Sequence, residues 1–267
     1  MRSLLFLCSL SISVSLFAQT AAQTTYADSL YRAAGVDGTF YLLRVNGKQT
    51  ATFAIHPEAT TAPVIPASTF KVPNTIIALE MGIVSGEDHF FEWDGVTRSI
   101  ANWNKSQTLK EAYGNSTVWI YQQLARSIGY DRYREWLRIL DYGNQSTGGG
   151  IDQFWLTGDL RISCVEQTAF LRKLNEQAFP LKASTYAAMQ HIMGQDLPSG
   201  IRLYSKTGWA DTDSLNTGWF IGYFEHGGAT YYFAHLLRVK VAPEQFASLR
   251  KQIAFQLIEL LTGITVP

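Results

Sequence analysis

A serine and a lysine stand three residues apart in "PASTFKVPN", residues 66–74. Positions i and i+3 share a helix face, so a helix opening here lets the Ser68 hydroxyl meet the Lys71 amine. Serine becomes a nucleophile when a base removes its proton, and a neutral lysine is such a base. Lysine is neutral near pH 7 only when desolvated, and Phe70, Val72 and Ile76 are apolar neighbours able to exclude water. The helix N-terminus would add amide donors for an oxyanion. Pro73 is compatible with this helix if it falls in the first turn. Alone, the pattern is explained by a capping serine beside a solvated lysine.

Two later groups extend the chemistry. Ser116, in "GNSTVWIYQQL", stands at a helix start, where it reads either as a cap or as a second hydroxyl relaying a proton. Lys206-Thr207-Gly208 lies on a strand-like run leading to Trp209. An exposed strand edge beside a cleft pairs with extended, peptide-like ligands. Lys206 and Thr207 would hold a carboxylate there, and Gly208 would allow close backbone approach. The competing reading is an edge lysine that discourages aggregation.

The elements that must position these residues follow from periodicity. Residues 39–45 and 48–55 alternate as strands, with Asn46-Gly47 between them as a type I′ hairpin signal. Residues 69–82, 117–129, 131–141 and 164–177 have helical spacing; in the second, Val118, Tyr121, Leu124, Ala125 and Ile128 share a face. Strands return at 201–209, 217–225 and 229–239, the last two joined by His226-Gly227-Gly228. A final helix starts at Pro243, with Phe246, Leu249, Ile253, Leu257 and Leu260 as its stripe and Gly263 after it. Ser163 and Glu166 form a capping box. The order predicts an α+β fold: one antiparallel sheet flanked by N- and C-terminal helices, with an all-helical insertion lobe and a cleft between the lobes.

Bulk properties narrow the function. Twenty-two basic and 22 acidic residues in a chain of 267 give zero formal charge, which disfavours nucleic acid and acidic lipid as partners. Residues 1–22 read as a secretory signal peptide with Arg2 at its start and cleavage between 18 and 22, leaving residues 23–267 as a single two-lobed domain. Cys8 falls too early in that leader for a lipoprotein site. The mature chain is expected to be exported, periplasmic and free of membrane spans. Cys164 then remains alone, without an internal disulfide, and reads as a small buried residue. The five histidines, His56, His89, His191, His226 and His235, lack ligand spacing on a helix, so no metal is expected.

The ordered set Ser-x-x-Lys, Ser, Lys-Thr-Gly resembles that of the penicillin-recognising serine enzymes. Finer details resemble their class D (oxacillinase-type) beta-lactamases: "STFK" at 68–71, Ser116-Thr117-Val118, "YGN" at 142–144, "WLTGDLRIS" at 155–163, "QTAFL" at 167–171 and "KTGW" at 206–209. The resemblance implies beta-lactam hydrolysis through an acylated Ser68. It implies that carbon dioxide carboxylates Lys71, which then serves as general base, with Trp155 hydrogen-bonded to the carbamate. It also implies proton transfer through Ser116 and screening of the carbamate by Val118 and Leu156. The oxyanion hole would be the backbone amides of Ser68 and Trp209. The substrate carboxylate would meet Lys206, Thr207 and Arg250, while Tyr142-Gly143-Asn144 reads as a mainly structural, glycine-capped helix end. A beta-lactam sensor that acylates without turnover and a peptidoglycan D,D-peptidase share the three motifs and stand as alternatives. The drug spectrum, bound up with loop residues 210–216, and the choice between monomer and homodimer are left open by the sequence.

Overall fold

In the computed structural model the described residues are 14–16, 20–212 and 214–267. Along the chain run β1 (Val14–Leu16), α1 (Ala21–Ala34), β2 (Asp37–Asn46) and β3 (Gln49–Ile55). A 3-10 turn at Ala67–Phe70 leads into α2 (Lys71–Glu80). The short pair β4 (Phe90–Phe91) and β5 (Gln107–Thr108) precedes α3 (Leu109–Gly114), α4 (Val118–Ile128) and α5 (Tyr130–Ile139). Then come α6 (Cys164–Asn175), α7 (Ala183–Met193), β6 (Gly194–Asp196), β7 (Arg202–Thr212), β8 (Leu215–His226), β9 (Ala229–Val239) and α8 (Phe246–Thr262).

Seven strands form one sheet in the order β1-β3-β2-β9-β8-β7-β6. The β2–β9 pairing, Asp37 opposite Arg238 through Val45 opposite Thr230, joins the N-terminal hairpin to the C-terminal meander. All ladders are antiparallel except β1, which runs parallel to β3. Most of the expected signal peptide, Cys8 included, lies outside the described residues; β1 and the first two residues of α1 fall within it.

Successive side chains on a strand point to opposite faces. Phe220 and Phe233 therefore join Phe40, Ile253 and Leu257 beneath α1 and α8. Their neighbours Trp219, Ile221 and Ala234 join Ile76 and Leu171 beneath the helical lobe. With both faces covered, β8 is buried from Asn216 to Phe224, which is why it reads as a continuous apolar run and not as an alternation.

Local departures from the sequence reading have local causes. Asn46 pairs with Gln49, so the turn is Gly47-Lys48, displaced by one residue. Gly47 alone there has positive φ, +56°, as in a type II′ turn, whereas I′ needs two such residues. Helix α5 ends at Ile139, and Asp141 takes the left-handed position after it with φ +48°. Gly143 is thus no helix cap. Its φ is +53°, and a Cβ there would stand 2.1 Å from the Arg161 carbonyl oxygen. Asn144 completes this clasp on residues 155–163: its Oδ1 accepts from Arg161 N (2.9 Å) and its Nδ2 donates to Asp159 O (2.9 Å). The last helix begins at Phe246, three residues after Pro243. Residues 210–212 and 215–216 are strand, not loop; β7 and β8 stay paired up to Thr212 opposite Leu215.

Candidate active site

The turn carrying Ser68 is fastened on three sides. Thr69 Oγ1 donates to Pro66 O (2.7 Å) and accepts from Gln167 Nε2 of α6 (2.8 Å). Trp219 of β8 donates through Nε1 to Ile65 O (2.8 Å). Strand β7 abuts the turn so closely that a Cβ on Gly208 would lie 2.9 Å from the Pro66 carbonyl oxygen and 3.2 Å from Thr69 N. Ala67 holds φ +49°, a left-handed pose that costs a residue with a side chain about 1 kcal/mol or more.

Under this turn is an aromatic floor. Phe70 stacks on Trp155 at 5.3 Å between centroids and meets Phe154 edge-on at 5.0 Å. Tyr133 and Tyr142 close the cluster around Phe70.

Ser68 Oγ accepts a hydrogen bond from Lys71 Nζ at 3.1 Å. Lys71 is fully buried, and Pro73 stands in the first turn of α2. Burial pushes the Lys71 ammonium down to about 7. Its amine also sits 4.8 Å from the Tyr121 ring centroid, an element of its cage that its own helix does not reveal. No Lys71–carboxylate ion pair occurs among the described residues. Trp155 Nε1 is a buried donor without a hydrogen-bond partner.

Ser116 does not cap α4; Thr117 occupies that position, and Ser116 holds φ +54°. Its Oγ instead accepts from Lys206 Nζ at 2.5 Å. Lys206 is buried beside Tyr113, and burial, followed by repulsion from Lys71, Arg250 and Lys251, holds its ammonium well below the usual lysine range. Arg250 of α8 is also buried; its Nη1 donates to Gly208 O at 2.6 Å and its Nε to Ala247 O at 3.1 Å. Burial lowers it to about 10, still charged at neutral pH.

A cavity of about 390 Å³ lies above these groups. Ser68, Ser116, Val118, Leu156, Thr207, Gly208, Trp209 and Arg250 line it, so three sequence motifs and α8 converge on one cleft. Lys71 and Trp155 lie in the core behind it, and Lys206 reaches it through Ser116. Ile100, Trp103 and Asn115 also line the cleft, without a signal in the sequence, and Asp211 joins them from the 210–216 segment. They come from irregular segments and a strand end, whose placement depends on packing. Glu166 is occupied in its capping box, accepting from Ser163 N at 2.7 Å. Among the described residues no group of three His, Cys, Asp or Glu could hold a metal ion, and no helix is long and apolar enough to cross a membrane.

The Gly208 contact yields a sharp expectation. Gly208→Ala should drive β7 away from backbone atoms that have no room to give. Misplacement of this kind costs on the order of 10²-fold in kcat/KM. Steady-state kinetics on the variant will check this; wild-type kcat/KM would show that the strand does not need that approach.

Residues 39–259 match the penicillin binding protein transpeptidase domain family. The probable beta-lactamase YbxI of Bacillus subtilis is 40% identical over 197 residues, 74% of this chain and 73% of that protein. The beta-lactamase OXA-10 of Pseudomonas aeruginosa is 33% identical over 251 residues, 93% of each chain. The crystal structure of a class D beta-lactamase from Sebaldella termitidis has TM-score 0.85 and 31% identity, covering 94% of this chain and 100% of that one. With Ser68 lining the cleft, Lys71 buried behind it and relatives that span nearly its whole length, this chain belongs to the penicillin-binding transpeptidase-domain family, in its class D beta-lactamase branch.

Proposed function

We propose that the protein hydrolyses beta-lactam antibiotics by acylating and then deacylating Ser68. The supporting observation is the Lys71 amine, buried and 3.1 Å from the Ser68 hydroxyl, since burial is what makes a lysine a base at neutral pH. The residues also fit the carbon dioxide adduct that the family implies. A neutral amine is the form that reacts, and Trp155 Nε1 is a buried donor awaiting an acceptor. Carbon dioxide would add to the neutral amine with loss of a proton, supplying a carbamate whose anionic oxygens accept the serine proton; Lys71 would carry it and Trp155 would donate to it. Val118 and Leu156, partly exposed in the cleft, limit water there.

The remaining roles follow from position. Ser116, bonded to Lys206, passes a proton to the leaving lactam nitrogen. The backbone amides of Ser68 and Trp209 receive the oxyanion, because Gly208 lets β7 close on the turn. Arg250, charged and without a carboxylate partner among the described residues, receives the substrate carboxylate with Lys206 and Thr207. Residues 1–22 direct export to the periplasm and are removed, leaving the catalytic domain 23–267.

Turnover of oxacillin, ampicillin and nitrocefin tests the reading. The neutral Lys71 amine is required, and its fraction falls tenfold per pH unit below its pKa. The single-turnover rate should therefore climb with pH and level off above about 7. A flat profile from pH 5 to 8 would contradict Lys71 as the base. An acyl adduct persisting for hours would point to a sensor, and cleavage of D-Ala-D-Ala peptides without drug hydrolysis would point to a peptidase.

A further inference from the structure

A second cavity, of about 240 Å³, opens on the other side of Lys206, around the free edge of β7. Strand β6 pairs with β7 only over Arg202–Tyr204, so the edge beyond is uncovered by strand. Lys110 and Tyr113 of α3 approach it from the helical lobe, and Lys251 of α8 from the opposite face of the sheet, where its Nζ lies 5.8 Å from the Phe220 ring centroid. Lys206 lines the cavity between them, and Gln195 of β6 borders it.

Three ammonium groups thus surround one small space, and their charge is poorly answered. Lys110 is paired with Glu87 at 3.2 Å, a carboxylate that His191 shares at 3.0 Å. Lys206 and Lys251 have no carboxylate within ion-pair reach among the described residues. Burial lowers both Lys251 and Lys206, and repulsion adds to it: from Arg250 on Lys251, and from Lys71, Arg250 and Lys251 on Lys206. Only Lys206 of the three is buried, and an anion entering the cavity would offset the repulsion among them.

The strand edge adds a directional donor. Ser205 O accepts from Tyr113 Oη at 3.2 Å and Thr207 O from Lys206 Nζ at 3.1 Å, so both carbonyls point away from β8. In an antiparallel ladder the N–H of a residue faces the same side as its carbonyl. The Thr207 N–H therefore also faces the open edge. Oxyanions bind where ammonium groups and free backbone amides converge.

We propose that this cavity is a binding site for a small free oxyanion of phosphate size, separate from the cleft that takes the substrate. Lys251, Lys110 and the Thr207 amide hold the anion, and Lys206 touches both sites. The proposal does not rest on the hydrolytic reading, because binding can be measured without substrate.

Titration calorimetry of the full-length mature protein with inorganic phosphate, at constant ionic strength set with sodium chloride, tests it. One saturable site is expected. Lys251→Gln should weaken it at least tenfold and Lys110→Gln severalfold, while Arg250→Ala, at a residue that lines the cleft and not this cavity, should leave it within twofold. Both lysine variants lie outside the catalytic groups, so their melting temperatures and drug turnover should match the wild type. No saturable phosphate binding would overturn the proposal. Binding lost in Arg250→Ala and kept in Lys251→Gln would also overturn it, by placing the anion in the cleft.

Discussion

Ser68→Ala should leave a folded protein that no longer forms a covalent adduct with any beta-lactam. The Ser68 hydroxyl makes one side-chain hydrogen bond, to Lys71, whereas the turn itself is held by Thr69, Gln167, Trp219 and the packing of Gly208. The fold therefore has little to lose. The chemistry has everything to lose, because Ser116 is already bonded to Lys206 and no carboxylate pairs with Lys71 among the described residues. Removing the nucleophile of a serine hydrolase costs on the order of 10⁴-fold or more in turnover. Intact mass after exposure to oxacillin, read beside a thermal melt, checks both halves. An adduct still present on the alanine variant would move the nucleophile to another residue.

Trp155→Phe should separate the indole N–H from the indole's bulk. The ring stacks on Phe70 and meets Phe154 edge-on at 4.9 Å, contacts that phenylalanine largely preserves. Alanine would instead open a cavity costing about 3–5 kcal/mol, blurring any catalytic effect. The Nε1 has no partner in the free protein, so deleting it strands no acceptor and stability should hold. Deacylation should slow by roughly 10- to 100-fold, the usual loss when a group that orients a reactive one is removed. Added bicarbonate should recover part of that loss, a response that a purely structural tryptophan would not give. Unchanged acylation and deacylation rates would remove Trp155 from the mechanism.

How much was legible depended on range. The capping box at Ser163 and Glu166 is a local bond between side chains and amides three residues apart, and it was readable as written. The strands around Lys206 and the stripe of α8 were equally plain, because burial on a regular element imposes a period. The Gly47-Lys48 turn was misplaced by one residue because ladder register is set by the partner strand. Gly143 was given a helix-end role because a positive-φ glycine looks alike from sequence whether it caps a helix or makes room for Arg161.

Composition and spacing alone determined that a serine and a lysine three apart come within reach of each other once the chain turns helically, that an aromatic, β-rich C-terminal half builds a sheet, and that no strong net charge draws a polymer. They did not determine that the lysine is dry. That depends on Tyr121 from α4 and on the Phe70–Trp155 floor, contacts between segments dozens of residues apart whose distances are fixed only when the core closes. The same holds for Ser116, read locally as a helix cap. Tertiary packing held it in a left-handed pose and gave its hydroxyl to Lys206, 90 positions further along the chain.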